Sequence, residues 1–197
     1  MTAGNVVVGP DGLGRCPWGL SAPDYQAYHD EEWGRPVHGD DRLFERLCLE
    51  AFQSGLSWLT ILRKRAAFRT AFAGFHIPAV AAFDDADVRR LLADAAIVRN
   101  RAKIEAAVHN ARAAVALPGE LDALVWSFAP GPDGRAAPTT SADVPATTPE
   151  SVALAKALRR HGFRFVGPTT AYAAMQACGL VDDHLAGCHA RGAGAPG

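Results

Sequence analysis

The sequence predicts an all-α protein, a compact bundle of the irregular globular kind, and three observations carry that expectation. Apolar residues recur at a spacing of three to four in most of the ordered-looking segments, no stretch alternates convincingly with a period of two, and capping residues and glycines bracket the periodic runs. A chain of 197 residues can bury most of its apolar surface as one domain without disulfide staples.

The elements follow in chain order. In "DDRLFERLCLEAFQSG", Asp40 and Asp41 are cap candidates, Leu43, Phe44, Leu47, Cys48 and Ala51 share one face, and Gly55 stops the helix. In "LSWLTILRKRAAFRTAFAGF", Trp58, Ile61, Leu62, Phe68 and Phe72 keep the helical spacing, Arg63, Lys64 and Arg65 are read as solvated, and Gly74 ends the run. "DDADVRRLLADA" is capped by Asp84 or Asp85, and "RNRAKIEAAVHNARAAVAL" builds on Ile104, Val108, Ala111 and Val115. A shorter helix fits "LDALVWSF". Residues 129–149, rich in Pro, Gly, Ala and Thr, read as a surface loop. Thr148 and Pro149 then restart a helix through "ESVALAKALRRHG", because threonine caps well and proline suits the first helical position.

Composition narrows the functional classes. Lys+Arg of 20 against Asp+Glu of 21 leaves a net charge of -1, so any affinity for nucleic acid must come from local patches. No apolar run approaches the length needed to span a bilayer, and "MTAGNVVVGPDGLG" lacks the charge and hydropathy pattern of a secretory leader. A cytoplasmic protein with no membrane partner is expected. In that reducing compartment the four cysteines are ligands or core residues. Cys48 and Cys178 sit among helical apolar residues and read as small buried hydrophobes.

Three groups of residues could carry chemistry. Cys16 and His29 lie near one end and His184 and Cys188, in "DDHLAGCHA", near the other. Together they would make a closed tetrahedral zinc site tying two distant segments, although spacing alone leaves a merely polar tail open. Asp182 or Asp183 could orient a ligand imidazole. In "HGFRFVGPTTAYAAMQACG", Gly162 and Gly167 can turn the chain tightly between two helices. The amides after Gly167, with Thr169 and Thr170, would then seat a phosphate beside Arg159, Arg160 and Arg164; a plain helix–turn–helix connection is the other reading. The third group is aromatic: Trp18, Tyr25, Tyr28, Trp33 and Trp58, with Glu50 at the edge of an apolar stripe. Glu50 either pairs internally, with Arg46, or waits for a cationic ligand, and the aromatics are either core or pocket.

The motifs "RCPWG", "YxxYHDxEWG", "LFExLCLExxQxGLSWLTILxKR", "RxKIxAxxxNARA", "VWSF" and "LxxxGFxFVGPTTxYAxMQACGLVxDHxxGC" resemble the 3-methyladenine DNA glycosylase I family of the helix-hairpin-helix superfamily. The resemblance implies a glycosylase domain over residues 15–190, a flexible extension over 1–14 and a tail over 191–197. It also implies hydrolysis of the N-glycosidic bond of 3-methyladenine in alkylated double-stranded DNA, with free 3-methyladenine and an abasic site as products. On the matching positions it places Glu50 as the catalytic carboxylate and Trp18, Tyr25, Tyr28 and Trp58 around the base. It places Gly55, Leu56, Gly162, Arg164, Gly167, Thr169 and Thr170 against DNA, and Cys16, His29, His184 and Cys188 on one structural Zn2+ per chain, in a monomer. Many enzymes of the superfamily use an aspartate beyond the hairpin; here that region is "DDHLAGCHA", so Asp182 and Asp183 are not given that role. The competing expectations are a non-catalytic, zinc-stapled DNA-binding module and a catalytic zinc with an open position, the latter disfavoured by four protein ligands.

Overall fold

Helix α1 (Pro23–Glu31) starts on a proline and carries aromatic rather than aliphatic residues on its inner side, burying Tyr28 and His29. A 3-10 turn, Pro17–Leu20, precedes it. Helix α2 (Asp40–Gln53) is the central element, burying nine of its side chains, from Leu43 and Phe44 through Leu49, Glu50 and Phe52. Helix α3 (Trp58–Ala71) opens on Ser57, whose hydroxyl accepts from the Thr60 amide, and stops before Gly74, which takes the left-handed conformation at φ 67°. Then come α4 (Ile77–Ala81), α5 (Asp85–Ala93), α6 (Arg101–Val115) and α7 (Leu121–Trp126). Helices α8 (Pro149–Arg160) and α9 (Pro168–Ala177) form a hairpin packed along α2. These elements belong to a computed structural model that describes residues 5–131 and 136–193; the parts of the expected extension, loop and tail at 1–4, 132–135 and 194–197 lie outside the described residues.

The core runs continuously around α2, joining Ile61 and Phe68 of α3, Ile104 and Ala111 of α6, Leu121 of α7, Leu154 and Leu158 of α8 and Met175 of α9. A second, small cluster joins Cys16, Leu185, Cys188 and Ala190, with Val6 and Trp18 packed on it, so segments far apart in sequence meet in one corner. Cys48 and Cys178 are buried, unpaired thiols as read from sequence.

The differences from the sequence expectations have physical causes. Two short strands exist, β1 (Val7–Val8) and β2 (Gly14–Arg15), paired antiparallel; two residues each are too few to show a period. Asp40 and Asp41 do not cap their own helix. Gly39 occupies that cap without a side-chain bond, the Asp40 carboxylate accepts from the Asp122 amide at 2.8 Å and Asp41 from the Ile77 amide at 2.8 Å. They cap α7 and α4 instead. Asp84 caps α5 through a capping box with Asp87. Val115, expected in the core, is 60% exposed because the last turn of α6 runs past it. Arg65 is not solvated but clamps Glu32 with two bonds of 2.6 Å.

Candidate functional site

A cavity of about 280 Å³ opens between α1, α2, α3 and α9, lined by Trp18, Tyr25, Tyr28, Trp33, Glu50, Gln53, Trp58, Ala173 and Gln176. That is at the small end of ligand sites, suited to a single flat ring system. The rings brace one another: Trp18 meets Tyr25 edge-on at 5.7 Å and Trp33 at 5.1 Å, and Tyr28 lies 5.5 Å from Trp58. The Tyr25 hydroxyl accepts the Leu59 amide at 2.9 Å, taking up one of the unsatisfied donors at the start of α3 and fixing α1 against it. The Trp58 indole Nε1 is buried without a partner among the described residues. Tyr28 is 3% exposed, so its ring is a back wall rather than an open face.

Glu50 is 6% exposed and has no hydrogen-bond or ion-pair partner among the described residues. The internal pair with Arg46 does not form. Arg46 turns instead to Glu32 at 3.0 Å, and Arg65 completes a bridge that holds Glu32 down at about 2, its guanidinium bonds outweighing burial, which alone would raise it. Burial pushes the Glu50 carboxyl up to about 8, the field of Arg46 pulling weakly the other way. Burial thus favours the neutral acid, and a cation beside it would favour the ionised form.

Beside the pocket, ligand atoms of Cys16, His29 and Cys188 all lie within 4.8 Å of one another. His184 stands against them, its ring 5.0 Å from that of His29, and its buried Nε2 has no hydrogen-bond partner among the described residues. Both imidazoles are held by carboxylates at Nδ1, His29 by Asp30 at 2.7 Å and His184 by Asp182 at 2.8 Å, which turns each Nε2 toward the cysteines, that of His29 lying 3.4 Å from the Cys188 sulfur. Asp182 thus takes the orienting role read from sequence. Asp183 does not; it accepts from Gln176 at 2.8 Å and from the Tyr172 hydroxyl. Hydrogen bonds from Cys16 and His29 pull the Cys188 thiol below its ordinary value, while the bond to Cys188 and burial push Cys16 up. Trp18 and Trp33 touch both this cluster and the pocket, since Trp18 lies 5.1 Å from His29 and Trp33 lies 4.7 Å from His184.

The segment from Gln53 to Ser57 leaves α2 through Gly55, at φ 80°, and presents Leu56, 40% exposed, at the mouth side of α3. Across a groove of about 350 Å³ stand Arg159, Arg164, Phe165, Gly167 and Thr170 of the α8–α9 hairpin, with Ser54 on the near side. Gly162 turns the hairpin at φ 89°, but Gly167 sits at φ -94° and needs no glycine freedom; the second left-handed residue is Phe165, at φ 55° and 44% exposed. No side chain caps α9, and Thr169 and Thr170 lie in its first turn. The structure thus gathers the residues expected at the base in one pocket, and those expected at DNA on the turn after α2 and on the α8–α9 hairpin with the first turn of α9. Sequence reasoning missed Asp30, Gln53, Ala173 and Gln176, and did not assign Trp33 to the site. Asp30 had a signal, being adjacent to His29 in "YHDEEWG".

An aromatic slot with a buried acid, framed by a helical hairpin, defines the class, and the chain belongs to the methyladenine glycosylase family, whose model matches residues 18–191. The resemblance read from the motifs is borne out. The chain is 46% identical over 177 residues to DNA-3-methyladenine glycosylase 1 of Escherichia coli (strain K12), covering 88% of this chain and 95% of that protein. It is 43% identical over 184 residues to DNA-3-methyladenine glycosylase of Haemophilus influenzae, covering 88% and 96%. Among solved structures, a crystal structure of 3-methyladenine DNA glycosylase I superposes with a TM-score of 0.83 at 47% identity over 89% of this chain and 98% of that one. A Staphylococcus aureus structure described as the basis of 3-methyladenine recognition superposes at 0.85 with 34% identity over 90% and 96%.

Proposed function

We propose that the chain is a DNA repair glycosylase that flips 3-methyladenine out of alkylated duplex DNA and hydrolyses its N-glycosidic bond, releasing the free base and leaving an abasic site. The observation that carries this is Glu50, a buried, unpartnered carboxyl on the wall of an aromatic pocket. Such a group costs stability unless a cationic ligand completes it. Methylation at N3 makes adenine cationic and weakens its pairing, so the damaged base both leaves the stack readily and brings the missing charge. Normal adenine is neutral and forgoes the charge attraction to Glu50.

The bond to a cationic base is weak, so departure needs no added proton. The C1′–N9 electrons go to the base, which leaves neutral, while the positive charge moves to the sugar, where water adds and loses a proton. Until that proton is released to solvent the positive charge stays inside the site, first on the base and then on the sugar, where a preorganised carboxylate stabilises it. Trp18, Tyr25, Tyr28 and Trp58 supply the walls, and a cation over such a ring gains about 0.5 to 2 kcal/mol depending on desolvation. Leu56, on the turn at Gly55, serves as the apolar wedge that holds the vacated step open. The helix-hairpin-helix unit of α8 and α9 holds the backbone through Gly162, Arg164, Gly167, Thr169 and Thr170.

The same reading includes one structural zinc ion on Cys16, His29, His184 and Cys188. Two thiols and two carboxylate-oriented imidazoles, one with a buried Nε2 lacking any partner, fit that ion well. Held by those four side chains, it would tie the segment around Cys16 to the segment around Cys188. Activity is tested by free-base release from methylated duplex: 3-methyladenine in the supernatant supports the reading, and its absence with intact, metal-loaded protein refutes it.

A further inference from the structure

Helix α6 carries polar side chains that reach out of the core to main-chain groups of both loops that face the proposed DNA groove. Lys103, 9% exposed, donates from Nζ to the Phe52 carbonyl at 2.9 Å and also to that of Ser54. These are carbonyls of the last turn of α2 and of the segment leading to Gly55 and Leu56, which end without intrahelical donors. Two turns further on, Asn110, 4% exposed, closes a two-bond ring with the hairpin: its Oδ1 accepts from the Arg164 amide at 2.7 Å and its Nδ2 donates to the Arg164 carbonyl at 3.0 Å. His109 adds a bond to the Gly162 carbonyl at 3.0 Å. Burying an ammonium is expensive, and Lys103 has no carboxylate among its partners, so its two carbonyl bonds are what hold it there.

We propose that Lys103 and Asn110 are positioning residues that set the spacing between the Gln53–Ser57 segment and the α8–α9 hairpin, so that a backbone gripped at the hairpin delivers its flipped nucleotide in register with the pocket. This rests on the glycosylase reading and deepens it. Neither residue lines the pocket. Helix α6 is the shared rod, and the two anchor points lie seven residues apart on it, about 10 Å at helical rise. Arg112 makes a useful comparison. It also comes from α6 and also ties down carbonyls, those of Ala81 at 2.9 Å and Phe83 at 2.6 Å, but these lie at and just beyond the end of α4 and belong to neither loop.

The experiment uses full-length, metal-loaded chain and three readouts: affinity for free 3-methyladenine by quenching of tryptophan fluorescence, affinity for a duplex carrying a stable abasic analogue, and single-turnover excision from methylated duplex. Lys103→Met and Asn110→Ala are expected to lower excision by roughly tenfold or more, as a 1 Å misplacement does, with free-base affinity held within about twofold of wild type. Asn110→Asp, which keeps the acceptor for the Arg164 amide, tests the same point with less disturbance of the fold. Arg112→Met is expected to lower Tm without separating the base and duplex readouts. The double variant Lys103→Met/Asn110→Ala is expected to lose little more than the worse single one, because a shared spacing is lost only once. Folded variants that excise at the wild-type rate, or that lose free-base and duplex binding in parallel, overturn the inference. A wild-type chain that neither binds nor releases the base overturns the glycosylase reading and this inference with it; a competent wild type with unsplit variants overturns this inference alone.

Discussion

Replacing Glu50 by Gln removes charge while keeping shape and a carbonyl acceptor for the exocyclic amine. At about 4 Å and an effective dielectric near 20, a carboxylate and a cationic base attract by about 4 kcal/mol. Part of that is spent ionising the acid, since a carboxyl raised to about 8 costs about 1.4 kcal/mol to deprotonate at pH 7. The net of roughly 2 to 3 kcal/mol predicts a fall of roughly 30- to 150-fold in kcat/KM for 3-methyladenine. Chromatographic measurement of base released from methylated duplex at subsaturating substrate reads it directly. Because ionisation of the pocket is part of the cost, wild-type kcat/KM should climb between pH 6 and about 8 and then level, whereas Glu50→Gln should be flat over that range. Excision by Glu50→Gln within threefold of wild type, with an intact fold, would refute the charge argument.

Further outcomes follow from the same geometry. The folded Glu50 carboxyl lies near 8 against 4.5 for an ordinary glutamate. Its contribution to stability is therefore whole below about pH 4.5 and is lost as pH rises to about 8, so Glu50→Gln should be more stable than wild type by roughly 3 kcal/mol at pH 7. Denaturant titration should show that advantage vanish near pH 4. Cys188→Ala should lose bound zinc by elemental analysis and lower Tm by roughly 5 to 15 °C, on the scale of a lost covalent staple; a variant that keeps both its fold and its metal contradicts the four-ligand site. Leu56→Ala should slow excision from duplex by roughly tenfold while leaving free-base affinity unchanged, as a missing wedge would. Hypoxanthine, a stable neutral base, should not be released, and measurable release would count against selection by charge.

Much of this was legible in the residues because strongly amphipathic helices announce themselves. The stripe of Leu43, Phe44, Leu47 and Cys48 identified α2, and the same stripe made Glu50 stand out as an acid on an apolar edge. Helix α1 was not legible as an element, since its buried residues are Tyr28 and His29, which face the pocket and the Cys/His corner rather than an aliphatic core. The five residues of α4 were too few for a period. Cap positions misled where tertiary partners won: Asp40 and Asp41 look like caps of α2, yet their carboxylates satisfy α7 and α4 across the fold. The hairpin turned on Gly162 as read, while the second turn residue, Phe165, could not be foreseen, because a non-glycine residue at positive φ carries no sequence mark. Glu50 without a partner is likewise a tertiary fact, decided by Glu32 taking Arg46 away.

Nuclear magnetic resonance titration of the Glu50 side-chain carboxyl, labelled with carbon-13, bears most directly on selection by charge. In the free protein the carboxyl should titrate near 8, and saturation with an adenine methylated at both N3 and N9, a permanent cation, should move its ionisation well downward. A carboxyl already ionised at pH 5 in the free protein, or one whose titration the cation leaves unmoved, would contradict the account.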